Sequence, residues 1–111
     1  MKVETQHHGT VAVVVPHGPL VRDEIEDLRR ALETTLETKA GRVVIDMSHV
    51  PWLDSAGIET LAATAQAEDY PHPPRVAALN ETCREALELT NVLATLDTFD
   101  TVENAIRSFK R

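Results

Sequence analysis

Residues 43–66 read VVIDMSHVPWLDSAGIETLAATAQ. Val43, Val44 and Ile45 form the apolar, β-branched run of a strand covered on both faces, which Met47 extends. After a short loop, Ile58, Leu61, Ala62 and Ala65 recur at spacings of three and four, the inner face of a helix. Asp54 and Ser55, at its start, are both strong N-cap types. A strand that hands over to a helix is the repeating step of a parallel α/β sheet. In such sheets, sites gather at the carboxyl ends of the strands, where this corner lies.

The same alternation extends outward in both directions. Residues 2–7 alternate with Val3, Thr5 and His7 on one side, a half-buried strand, and His8-Gly9 suits a turn. Val11 to Val15 is a second buried run, ended by Pro16, Gly18 and Pro19. Ile25, Leu28, Leu32 and Leu36, with Ala31 beside them, form one helical stripe. Asp23, Glu24, Glu26 and Asp27 crowd its start, and Gly41 suits the left-handed position past its end. Beyond the central corner, Tyr70 to Pro74 break the chain into a stiff loop. Val76 to Leu79 reads as a strand. Asn80 caps a helix with Cys83, Ala86 and Leu87 inward, reaching Leu89. Leu96 to Phe99 is a short strand. Asp100 to Glu103 resembles a capping box ahead of the stripe Val102, Ala105, Ile106 and Phe109. The expectation is a single α/β domain over 1–111, with a mostly parallel central sheet of four to five strands and about four helices.

Composition narrows the function. Apolar residues make up 42 % of the 111 residues, enough for a core, and 26 % are charged. The formal charge is −7, from 11 basic and 18 acidic side chains. That balance argues against nucleic acid, which needs clustered Lys and Arg, and against anionic lipid. Cys83 is the only cysteine, so neither an internal disulfide nor a multi-cysteine zinc site is available. The five histidines form no i, i+4 pair, so no metal site is expected. The opening MKVETQHHGT lacks the apolar core of a signal peptide, and no apolar run is long enough to span a bilayer. A cytoplasmic setting without membrane insertion is expected.

Ser55 admits four readings. It, or Asp54, caps the helix. It is a nucleophile, although L-D-S-A-G has Leu53 where the G-x-S-x-G elbow has its first glycine, and no spacing supports His17 or His49 as base. The chemistry belongs instead to Asp46 as a phosphate acceptor; but the segment VVVPHGPL carries no acid to hold magnesium, and Lys110 comes past the last strand. Asp46 then serves as structural support, hydrogen-bonding the loop beside Ser55. Last, Ser55 is a regulatory phosphorylation site at a helix N-terminus, where Asp46, Asp54 and Glu59 make the patch acidic and small Ala56 and Gly57 leave the helix start reachable.

The run Val43 to Ser48, followed by Leu53-Asp54-Ser55-Ala56-Gly57-Ile58, resembles the STAS-domain signature: an apolar strand ending in Asp, a short loop, then Asp-Ser-(Ser/Ala)-Gly and an apolar helix. Among STAS proteins the chain is most similar to the bacterial anti-sigma factor antagonists. Gly18-Pro19-Leu20, Ala86 to Thr90, and Phe99 with Glu103 to Ile106 resemble the flanking family segments. The resemblance implies a non-enzymatic, phosphorylation-switched protein-binding domain. Unphosphorylated, it would bind an anti-sigma factor that is also a serine kinase of the histidine-kinase-like ATPase class. That kinase would phosphorylate Ser55 and release it, and a serine phosphatase would reset it. ATP and magnesium belong to the kinase, so no cofactor is implied. The implied binding surface comprises Asp54, Ala56, Gly57, Ile58, Trp52 and Asp23, with Asp46 supporting the motif. Trp52 suits either an exposed part of that surface or a packed role in the loop. Three local departures stand out: Val21-Arg22 precede Asp23 where the family often has an acid directly after Gly-x-Leu, Pro51-Trp52 approach the motif, and the Pro-rich loop 71–74 replaces a more usual basic, glycine-containing turn. The resemblance also admits a STAS regulatory subunit of a lipid-transport ABC system or a stress-signalling scaffold.

Overall fold

The computed structural model describes residues 1–66 and 71–109. Five strands form one sheet in the order β1 (Lys2–His8), β2 (Val11–His17), β3 (Val43–Asp46), β4 (Arg75–Ala77), β5 (Asp97–Phe99). β1 and β2 form an antiparallel hairpin, and every later pairing is parallel. The helices are α1 (Ile25–Thr38), α2 (Ser55–Ala65), α3 (Glu81–Leu89) and α4 (Val102–Ser108), with a 3-10 turn at Leu93–Thr95. The expected α/β architecture is therefore present. Tyr70 and Lys110, which entered the sequence reading, lie outside the described residues.

Strands β2 and β3 are buried because both sheet faces are covered. Val14, Val43, Ile45 and Val76 pack with Leu28 and Leu32 of α1, Leu61 of α2, and Cys83 and Leu87 of α3. Val11, Val13, Val15, Val44 and Ala77 form a second cluster with Ala105 of α4. The alternation along β2 feeds both layers, which explains its unbroken valine run. Helix α1 buries Ile25, Leu28, Leu32 and Leu36, the stripe read from the sequence. Past its cap at Lys39, Ala40 rather than Gly41 is the first left-handed residue, at φ 53°, and Gly41 follows at φ 86° and donates its amide to the Leu36 carbonyl at 2.9 Å.

Several local expectations are corrected. β2 continues through Pro16, which pairs with Val3 of β1; β3 has already ended its pairing at Val14, so no strand flanks the proline on that side. Met47 lies past the end of β3, though it stays buried and donates its amide to the Ala77 carbonyl at 2.9 Å. β4 spans Arg75–Ala77 rather than Val76 to Leu79, because Ala78 turns into the left-handed region at φ 61°. On α2 the fully buried residues are Ala56, Gly57, Thr60, Leu61 and Thr64, while Ile58, Ala62 and Ala65 are half-buried. The threonines can turn inward because their hydroxyls donate to the helix's own carbonyls, Thr60 to Ala56 and Thr64 to Leu61. Leu89 ends α3 exposed. Thr101, not Asp100, caps α4 by accepting the Asn104 amide at 3.1 Å.

Asn80 is the brace between α3 and the loop after β3. Its side-chain oxygen accepts the Cys83 amide at 2.7 Å, capping α3. Its side-chain nitrogen donates to the carbonyls of Val50 and Pro51 at 3.2 and 3.1 Å. Replacing Asn80 with Ala is expected to cost about 1–2 kcal/mol, the upper range for a cap, because loop bonds go with it. Thr101→Ala, which removes a cap alone, should cost less; urea denaturation of the two variants gives the comparison.

Candidate functional site

The strand-to-helix corner is built from two loops zipped together. Leu20, in the loop between β2 and α1, donates its amide to the Trp52 carbonyl and accepts the Asp54 amide, both at 3.1 Å. This makes a one-step parallel bridge between Leu20 and Leu53. Below it, Gly18 donates to the His49 carbonyl at 3.0 Å. The Asp46 carboxylate accepts the Ser48 amide at 2.9 Å, an Asx turn that starts the loop after β3.

Asp54 is the N-cap of α2. One carboxylate oxygen accepts the Gly57 amide at 3.1 Å, and the other accepts the Arg22 amide at 3.0 Å. One side chain thus terminates the helix and anchors the neighbouring loop to it. The Arg22 amide, more than any other neighbour, holds the Asp54 carboxyl below its ordinary value, with the Gly57 amide acting in the same direction against partial desolvation.

Gly57 lets the two loops meet. A Cβ there would collide with the Leu20 carbonyl oxygen and stand 2.8 Å from the Leu20 Cβ and 3.0 Å from the Leu53 Cβ. Close approach, rather than backbone conformation, is what requires glycine here.

Ser55 occupies the first helical position. It is exposed, and its hydroxyl makes no hydrogen bond among the described residues. Arg22, Asp23 and Glu59 are exposed as well, and Trp52, three residues before the serine, is 49 % exposed. Ile58 and Asp54 are half-buried, and Ala56 and Gly57 lie beneath the surface. Of the residues expected on a binding surface, the structure brings Trp52, Asp23, Asp54 and Ile58 to the outside or its edge, while Ala56 and Gly57 shape it from within. Asp46 bonds the start of the loop, not the serine's own segment. Leu20, Arg22 and the Asn80 tether were not expected from sequence. Leu20 carried a signal through its place in Gly18-Pro19-Leu20, Arg22 through its departure before Asp23, and Asn80 through its capping of α3, but none of these announced the long-range bonds.

Neither histidine near the corner addresses the serine. His17 and His49 stack on each other, with ring centroids 4.6 Å apart and planes at 22°. His17 Nε2 lies 2.7 Å from a Glu4 carboxylate oxygen. Cys83 is buried, which pushes its thiol up, and its sulfur faces the Val50 carbonyl at 3.6 Å. Among the described residues no group of three or more His, Cys, Asp or Glu side chains could hold a metal ion, and no helix is long and apolar enough to cross a membrane.

The family model described as the STAS domain matches residues 2–105. A search of curated proteins found no match. Among solved structures, the Thermotoga maritima protein TM1081 superposes with a TM-score of 0.88 at 16 % identity, over 98 % of this chain and 95 % of that one. An anti-sigma factor antagonist from Mycobacterium paratuberculosis gives 0.80 at 24 % identity, over 99 % and 94 %. The murine anion transporter Slc26a9 gives 0.78 at 18 % identity, over 95 % of this chain but 18 % of the transporter. At these identities the likeness is one of fold.

Two outcomes follow from the corner's construction. Gly57→Ala should destabilise the protein by about 1–3 kcal/mol, the usual range for overpacking, because the new methyl meets backbone; equilibrium urea unfolding measures it. Asp54 has a lowered carboxyl, so its stabilising contribution is present above the ordinary Asp range near about 4 and is lost as pH falls through its lower folded-state value. Asp54→Asn should therefore melt below the wild type at pH 7, and the gap should narrow steadily as the pH is brought down through that range.

Proposed function

Because the chain belongs to the STAS domain family, we propose that it is a phosphorylation-switched binding domain, an anti-sigma factor antagonist with Ser55 as the switch. Unphosphorylated, it binds an anti-sigma factor that is also a serine kinase of the histidine-kinase-like ATPase class. Phosphorylation of Ser55 releases that partner, and a serine phosphatase restores the binding form. The observation that carries this reading is the division of roles at the corner: Asp54 does the capping, so the Ser55 hydroxyl stands exposed and uncommitted. An exposed helix start is open to a kinase, and its free amides tolerate a phosphate locally.

The switch works through charge and bulk. A phosphoryl group adds about −1.5 to −2 charges beside Asp54, Asp23 and Glu59. A partner whose docking surface suits Trp52 and these carboxylates then meets a different field and a larger obstacle. The domain itself performs no catalysis in this scheme. Ser55 lacks a hydrogen-bonded histidine, as a serine nucleophile would require. ATP and magnesium stay with the kinase.

The fold shared with part of Slc26a9 supports a second reading, a regulatory STAS unit that docks on transport machinery or a signalling scaffold. The two differ in what they capture: a small ATPase-type kinase, or a transporter ATPase or scaffold subunit.

Ser55→Ala should retain the kinase, whereas Ser55→Asp and the Ser55-phosphorylated protein should bind roughly tenfold or more weakly, a loss of about 1.4 kcal/mol or greater. Isothermal titration calorimetry against a purified candidate kinase reads this out. Equal affinity for all four forms would remove the switch.

A further inference from the structure

The structure ties Arg22 to the start of α2. Its backbone amide donates to the Asp54 carboxylate at 3.0 Å, and Asp54 is the residue directly before Ser55. The Arg22 side chain is exposed, and its guanidinium forms no ion pair among the described residues, whereas Arg29, Arg30 and Arg75 each face a carboxylate. Only the backbone of Arg22 takes part in the scaffold. An unengaged cation on a long, flexible stem therefore belongs to a residue whose backbone is bonded to the one directly before Ser55.

We propose that Arg22 is the internal receiver of a phosphoryl group on Ser55, its flexible side chain pairing with that group while the loop between β2 and α1 keeps its place. The inference rests on the reading of Ser55 as the phosphoacceptor and adds a second element to the switch. In the unmodified protein the Asp54 carboxylate is occupied by two amides, and the Arg22 side chain contributes only a general field that helps keep it ionised. A phosphoryl group offers a larger charge and three strong acceptor oxygens, which the planar guanidinium engages in bidentate fashion. The neighbouring carboxylates Asp54, Asp23 and Glu59 all disfavour the dianion, and Arg22 offsets them. Release of the partner then has two causes: repulsion from the new charge, and withdrawal of Arg22 from the docking surface.

Phosphorus-31 NMR titration of the full chain, with phosphoserine incorporated at position 55, tests the pairing without any partner. A nearby guanidinium favours the dianion, so the wild-type phosphoserine should titrate at lower pH than that of Arg22→Ala, by roughly 0.3–0.5 pH for an exposed pair. Arg22→Lys, which keeps the charge but not the fork, should fall between them. Superimposable curves for wild type and Arg22→Ala overturn the proposal, as does a curve for Arg22→Ala displaced to lower pH. Thermal melts of the unphosphorylated variants should coincide with wild type, since the Arg22 amide survives both substitutions; if Arg22→Ala melts early, the comparison of wild type with Arg22→Lys still decides. The underlying reading fails differently. Partner binding would then be indifferent to the phosphoryl group even while the titration difference persists.

Discussion

The Asp54 carboxylate holds two amides that belong to different parts of the chain. Through Gly57 it ends α2, and through Arg22 it fixes the loop that leaves β2. Without that double acceptance, the zipper between Leu20 and the Trp52–Asp54 segment would have one end loose. The position of everything exposed at the corner follows from it: the serine at the first helical position, the tryptophan on the approach and the arginine beside them. A carboxylate suits the task because it accepts several bonds at once and complements the helix dipole.

The frame beneath is over-determined. Asn80 grips the loop after β3 from the α3 side, while the Leu20 bridge grips it from the α1 side. Gly57 removes the one side chain that would hold those layers apart. Valine runs buried on both faces of β2 and β3 make the floor rigid. A loop of polar backbone is thus held at the sheet's end with little freedom.

Much of the fold was legible because apolar periodicity dominates it. The stripe Ile25, Leu28, Leu32, Leu36 and the runs at Val11 and Val43 admit few other readings. Failures came where polarity misled or where contacts span long sequence distances. Thr60 and Thr64 look like surface residues, yet they bury themselves by bonding their own helix. Ala78 adopts a conformation that glycine would have announced and alanine does not. At the site, Asp54 and Ser55 were visible as a helix start, but which of the two caps depends on side-chain geometry. The bonds from Arg22 to Asp54 and from Asn80 to Val50 join segments far apart in sequence, and no local pattern encodes them.

Ser55 bears no structural duty. Its backbone continues the helix, and its oxygen is spare. The corner therefore separates what builds it from what it displays: a substitution at Ser55 removes no bond among the described residues, so the displayed side chain is free to vary over an undamaged scaffold.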